Sequence, residues 1–208
     1  MSNSPDIPEN SDSYLTLRGK SDGIFKEQGS RFLYFSFPVK SEEDIKIELV
    51  SLRKLYFDAS HHCYAWSLGR DAAHFRANDD GEPNHSAGDP ILGQIRSNQL
   101  TDVLIVVVRY FGGTKLGVSG LIKAYRTAAA LAIEENEITK EWVKAQLNFS
   151  FPYAAMNEVM KIVKALDIEI LSQEMALDCS MTLSMRESNF AQVLSKLEDI
   201  EGLVLATG

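Results

Sequence analysis

The sequence predicts an α+β chain of two domains, and three features predict it. A continuous β-branched run, Asp102–Tyr110, leads through glycines into a long helical pattern, as a strand buried on both faces feeding a helix would. From residue 143 onward the order reads β-α-β-β-α-β, that of a ferredoxin-like split unit. Charge divides near the same place. Residues 14–134 carry 15 bases against 14 acids, and residues 135–208 carry 6 against 12. The expected boundaries are a disordered tail over 1–13, a first domain over 14–135 and a second over 136–208.

Each element has its own warrant. Residues 1–13 are polar and aperiodic, with three acids and no base. Gly23–Gln28 and Arg31–Val39 are extended stretches joined by a hairpin turn at Gly29-Ser30. Ser41 followed by Glu42, Glu43 and Asp44 opens a helix, because the hydroxyl caps and the acids suit the positive end of the dipole. Ile45, Leu49, Leu52 and Leu55 then recur at helical spacing to about Phe57. His62–Leu68 reads as a strand and Asn78–Pro83 as a dense turn. Asp89 before Pro90 marks the cap of a helix running to about Asn98. After Arg109–Gly117 a helix spans about Val118 to Asn136. The C-terminal segments are strands at Val143–Phe151, Ile168–Gln173, Ala176–Met185 and Leu203–Ala206, with helices at Tyr153–Leu166 and Ser188–Glu198.

Composition narrows the function classes. With 45% apolar and 24% charged residues, the chain is ordinary globular material. No apolar run approaches the ~20 residues of a membrane span, and the N-terminus lacks the basic and apolar parts of a signal peptide. Two distant cysteines, Cys63 and Cys179, suit packing in a reducing compartment, so a cytoplasmic location is expected. The net charge of -8 argues against indiscriminate nucleic-acid binding. Partitioned, however, it leaves a near-neutral first domain with room for a local basic patch.

Candidate chemistry clusters in that first domain. All four histidines, His61, His62, His74 and His85, fall near Cys63, but no CxxC or HExxH spacing fixes two ligands together, so no metal is expected. Neither Ser86 nor Ser119 lies in a GxSxG elbow, and nothing marks Cys63 as activated. Asp79, Asp80 and Glu82 place three carboxylates in one tight loop. They either chelate or do acid/base work, or they accept backbone N–H groups and a salt bridge from Arg76 or Arg109. The most informative segment is RYFGGTKLG, Arg109 to Gly117. Gly112, Gly113 and Gly117 lie between strand and helix, where backbone N–H groups are open to an anion. Lys115, Lys123 and Arg126 extend the positive field, and Arg109 and Tyr110 at the strand end suit phosphate contact and stacking. The segment is not a P-loop, and packing glycines in a tight connection would produce the same pattern.

The residues His62-Cys63-Tyr64-Ala65-Trp66, Asp79–Pro83, Ala87–Leu92, RYFGGTKLG and Gly120-Leu121…Ala124-Tyr125 come in the order and spacing of the YigZ/IMPACT family. Over roughly residues 15–135 the chain resembles a bacterial YigZ-type member. That resemblance implies a ribosomal-protein-like first domain, similar to domain IV of elongation factor G, and a second domain similar to its domain V. Eukaryotic members regulate translation as binding proteins, competing with a starvation-responsive kinase for its activator. The sequence departs from the family pattern twice. Asn84-His85-Ser86 stands where Ser-Gly-Thr is common, and Lys123 stands where an arginine is usual.

The expected function is non-catalytic binding of RNA, the ribosome or a translation-associated protein, without cofactor. The binding residues would be Arg109, Tyr110, Gly112, Gly113, Lys115, Gly117, Lys123 and Arg126, with His62, Asp79, Asp80 and Glu82 in a second loop. Two alternatives belong to other classes. One is an enzyme on a phosphorylated or acidic small molecule, with His62 and Asp80 or Glu82 as acid and base. The other is a protein–protein module. The most informative observation is whether His62, Asp80, Arg109 and Lys115 converge on one pocket, since their dispersal would leave only the structural reading of the glycine loop.

Overall fold

The computed structural model describes residues 12–206, which divide into two compact units. One runs Ser13–Glu141, and the other comprises Trp142 onward together with Asp12. The division thus falls after Glu141, not after residue 135. The reason is a pair of short strands that the sequence reading did not contain, β1 (Ser13–Leu17) and β7 (Ile138–Trp142), which pair as a two-stranded sheet. The Arg18 amide donates to the Glu137 carbonyl at 2.8 Å, and Arg18 Nη1 lies 2.7 Å from the Glu137 carboxylate. Of the tail expected over 1–13, only Asp12 and Ser13 are described, and Ser13 opens β1.

The first unit is built on a five-stranded antiparallel sheet. Its strands are β2 (Ser21–Glu27), β3 (Ser30–Pro38), β4 (His61–Leu68), β5 (His74–Asn78) and β6 (Val103–Tyr110), in the order β2-β3-β6-β4-β5. The β2–β3 turn is Gln28-Gly29, one residue earlier than expected. Both residues have positive φ, 45° and 81°, as a type I′ turn requires. The central strand β6 is buried on both faces. Val103, Ile105 and Val107 join one core, and Leu104, Val106 and Val108 join the other.

Those two cores define the layers. On one face lie α2 (Gly88–Ser97) and α3 (Gly117–Glu134), through Ile91, Ile95, Leu121, Tyr125, Ala128 and Ala132. On the other lies α1 (Glu42–Leu55), through Ile45 and Leu52 against Phe35, Tyr64 and Trp66. Ser41 caps α1 as its position predicts, accepting from the Asp44 amide at 3.1 Å.

The second unit has the order β8 (Lys144–Pro152), α4 (Met156–Ala165), β9 (Glu169–Glu174), β10 (Asp178–Arg186), α5 (Glu187–Glu198) and β11 (Val204–Leu205), with one 3₁₀ turn at Tyr153–Ala155. The four strands form one sheet, ordered β11-β8-β10-β9. Alternation puts Leu147, Phe149, Phe151, Cys179, Met181 and Leu183 into one core with Val159, Val163, Val193 and Leu197 of the two helices. No helix among the described residues is long and apolar enough to cross a membrane.

Candidate binding site at the glycine loop

Strand parity decides where each candidate side chain goes. In β6, Arg109 continues the face of Ile105 and Val107, so it points toward α2 and α3. In β4, Cys63 and Ala65 share that face, while His62, Tyr64 and Trp66 take the opposite one toward α1. His62 and Arg109 are therefore separated by the sheet. The four residues whose convergence would mark a single site do not share a pocket, so the carboxylate loop and His62 are left with a structural reading. Arg109 and Lys115 line one cavity, and His62 and Asp80 lie outside it.

The carboxylates of the second loop are occupied within the fold. Asp79 Oδ1 accepts the Ala87 and Gly88 amides at 2.9 and 2.8 Å, and its Oδ2 accepts the His85 amide at 2.9 Å. This remote carboxylate caps α2, whose N-cap residue is Ala87 rather than the expected Asp89. Asp80 accepts from Arg53 Nη2 at 2.7 Å and from the His62 amide at 2.6 Å. Partial burial pushes the Asp80 carboxyl up, but these two donors outweigh it and hold it below the ordinary carboxylate value.

Glu82 meets Arg109 Nη1 at 2.6 Å, with side-chain exposures of 4% and 6%. The Tyr125 hydroxyl donates to the same Glu82 oxygen at 2.8 Å. Of the two readings of Arg109, surface cation at the strand end or salt-bridge partner of the carboxylate loop, the structure shows the second, because its strand position turns it inward onto Glu82 and buries it. Among the described residues no three His, Cys, Asp or Glu side chains are grouped to hold a metal.

The nucleophile and base candidates are similarly enclosed. Burial pushes the Cys63 thiol well above its ordinary value, against a smaller opposing effect of its contact with Tyr125. Burial also lowers His62, helped by the charge of Arg53 and opposed by Asp80, and its Nε2 has no partner.

The glycines of the connection separate into two kinds. At Gly112 a Cβ would be driven into the carbonyl carbon of Gly29 and the amide nitrogen of Ser30, so this glycine lets the loop close on the β2–β3 turn. Ser30 Oγ secures the contact by accepting from the Gly112 amide at 3.2 Å and from Arg109 Nη2 at 3.4 Å. Gly113 and Gly117 have φ of 85° and 68°, and a Cβ at either would meet nothing within 4 Å. There the glycine answers to backbone conformation alone, and the space beside it is open.

Beside Gly117 lies a cavity of about 260 Å³, lined also by Glu82, Pro83, Arg109, Phe111, Lys115, Leu116, Val118 and Leu121. Lys115, Lys123 and Arg126 are exposed, and none has an ion-pair or hydrogen-bond partner among the described residues. Tyr110 is half-buried; its hydroxyl donates to Asp58 at 2.7 Å and Arg31 lies over its ring. It stands apart from the cavity. The sequence reading missed Arg53, Ser30, the hydroxyl of Tyr125 and the apolar walls Pro83, Leu116 and Val118. Of these only Tyr125 carried a signal, since a buried tyrosine needs a partner for its hydroxyl.

His85 explains one departure from the expected pattern. Its φ is 64°, in the left-handed region, where a glycine would be unstrained. In urea denaturation, His85→Gly is expected to be more stable than His85→Ala by about 1 kcal/mol, since only the alanine keeps a Cβ at that angle. Equal stability of the two would show that the loop relaxes around the residue.

The family model described as the Impact N-terminal domain matches residues 28–133. An IMPACT family member of Haemophilus influenzae is 31% identical over 186 residues, 86% of this chain and 89% of that protein. The IMPACT family member YigZ of Escherichia coli is 28% identical over 172 residues, 82% and 84% of the two chains. A crystal structure described as that of a hypothetical protein superposes with a TM-score of 0.74 at 26% identity, covering 95% of this chain and 98% of its own. The buried Glu82–Arg109–Tyr125 triad and the Gly112 closure both lie within the matched segment, and the chain belongs to the IMPACT family.

Proposed function

We propose that this protein is a non-catalytic binding protein of translation, contacting RNA or the ribosome through the glycine loop and the first half of α3. The observation that carries the reading is a division of charge. Asp79, Asp80 and Glu82 are turned inward and satisfied, whereas Lys115, Lys123 and Arg126 are exposed and without acidic partners among the described residues. Lys123 and Arg126 are three residues apart on one helix face, and such unpaired cations are suited to a phosphate backbone.

The enclosed Cys63 and His62 support binding over catalysis. The placement in translation comes from the family resemblance. We assign the first unit to the ribosomal-protein-like class typified by domain IV of elongation factor G. The β-α-β-β-α-β order and the β11-β8-β10-β9 sheet support a ferredoxin-like second unit. With net -6 over residues 135–208, that unit is the weaker candidate for RNA contact. A cytoplasmic site of action follows from this role.

The test is binding of single-stranded RNA and of ribosomes across 50–200 mM salt. Wild-type affinity should fall steeply with salt, and Lys123→Ala/Arg126→Ala should reduce the slope by about 1.4 on single strands, ~0.7 per lost phosphate contact. Binding indifferent to salt and to both substitutions would sink the proposal. Capture of a protein partner that survives nuclease treatment would transfer the surface to a protein–protein role.

A further inference from the structure

The start of α3 differs from the other helix starts of its unit in what it faces. The first turn of α1 has the Ser41 hydroxyl and three acids, and α2 has the Asp79 carboxylate. The eighteen-residue α3 has Leu116 as N-cap, no side-chain cap bond and no acid in its first turn. Among the described residues its first amides therefore have no anionic acceptor. The first two residues of the helix, Gly117 and Val118, line the 260 Å³ cavity together with Lys115.

A second observation is independent of the helix. Arg109 lines the same cavity with its side chain 6% exposed; its Nη1 and Nη2 are bonded to Glu82 and Ser30, while its Nε, shielded from solvent, has no hydrogen-bond partner among the described residues. Glu82, the acid in the wall, is already engaged by Arg109 Nη1 and the Tyr125 hydroxyl. A buried donor left unanswered beside an uncapped helix start is a place that lacks an acceptor. The remaining walls are Pro83, Leu116, Leu121 and two half-exposed apolar residues, Phe111 at 51% and Val118 at 52%. An inorganic ion alone would leave this apolar surface unused.

We infer that the cavity binds a phosphate monoester carried on a flat apolar group, the chemistry of a nucleotide. The phosphate sits at the amides of Gly117–Ser119 beside Lys115 and Arg109, and the base lies against Phe111 and Val118. Phosphate oxygens are numerous enough for several N–H groups at once, and an exposed aromatic ring accepts any base by stacking. The inference rests on the binding role proposed for this loop and names the ligand class of its pocket. A free nucleotide and the 5′-phosphate end of an RNA present the same chemistry.

The experiment is an amide-shift titration of the ¹⁵N-labelled full chain. The probes are inorganic phosphate, the four nucleoside 5′-monophosphates, and one oligoribonucleotide with either a 5′-phosphate or a 5′-hydroxyl. At least one nucleotide is expected to shift the amides of Gly117, Val118 and Ser119, with an affinity at least tenfold above that of inorganic phosphate. If the source is an RNA end, the 5′-phosphorylated oligomer binds at least tenfold tighter than its 5′-hydroxyl twin. If it is a free nucleotide, the two oligomers are alike while the mononucleotide binds.

Val118→Asp places a carboxylate at the helix start from an exposed position. It should retain or raise Tm and weaken nucleotide binding at least tenfold, and Lys115→Ala should also weaken it. Absence of any shift at these amides, equal affinity for phosphate and nucleotide, or undiminished binding by Val118→Asp would each overturn the inference. Mononucleotides are too small to span from the cavity along α3, so this outcome is separable from the RNA test. RNA binding that depends on Lys123 and Arg126 survives a failure here, and loss of that dependence leaves the cavity result intact.

Discussion

Gly112→Ala should cost about 4 kcal/mol or more of folding stability, whereas Gly113→Ala, one residue on, should cost only about 1–2 kcal/mol. The two positions share a loop and differ in what surrounds them. A methyl group at Gly112 meets the backbone of Gly29 and Ser30, and neither atom is the movable end of a side chain. Relief requires the β6–α3 connection to lift off the β2–β3 turn. That in turn breaks the bonds from the Gly112 amide and Arg109 to Ser30 Oγ. At Gly113 the methyl group meets open space, and the cost is that of holding an L-residue at a φ of 85°. Urea denaturation of the two variants measures the difference. Similar losses would mean that the loop is already loose and that its closure on the hairpin is not a structural requirement.

This pair of glycines also shows what the sequence could and could not convey. The RYFGGTKLG segment was readable as strand, glycine turn and helix, because a β-branched run and a 3.6-residue pattern flank it. Which glycine packs and which one bends depends on a hairpin eighty residues upstream, and no local pattern reports that. The same holds for Asp79. Sequence logic put the α2 cap at Asp89, next to Pro90, but the amides of Ala87 and Gly88 are met by a carboxylate from the preceding loop.

The strands β1 and β7 were missed because SYLTL and ITKEW are short and mixed, and they become strands only by pairing with each other. Arg109 stays open between two readings for a different reason. In a run apolar on every residue, the alternation that tells inward from outward is invisible, so a surface contact and a salt bridge to the carboxylate loop both fit the sequence. Parity with Val107 places it in the core.

The burial of that charge sets the other large effect. Glu82→Gln keeps the side-chain shape but leaves Arg109 without its counter-charge, and Arg109→Met leaves Glu82 with the Tyr125 hydroxyl and, at 3.8 Å, His61 Nε2. Each single substitution is expected to cost about 3–5 kcal/mol, because each strands one desolvated charge. The double variant Glu82→Gln/Arg109→Met removes both charges and should recover a large part of that loss, with a coupling energy of about 2 kcal/mol or more. Thermal and urea unfolding of the four proteins complete the cycle. Because Arg109 lines the cavity beside α3, Arg109→Met should also lose ligand affinity, whereas the double variant regains stability without regaining affinity. That divergence separates the two duties of Arg109. Its Nη1 and Nη2 are committed to the fold through Glu82 and Ser30, and its Nε has no hydrogen-bond partner among the described residues. If the two single losses simply add, the pair is not coupled, and the charge of Arg109 must be balanced by something other than Glu82.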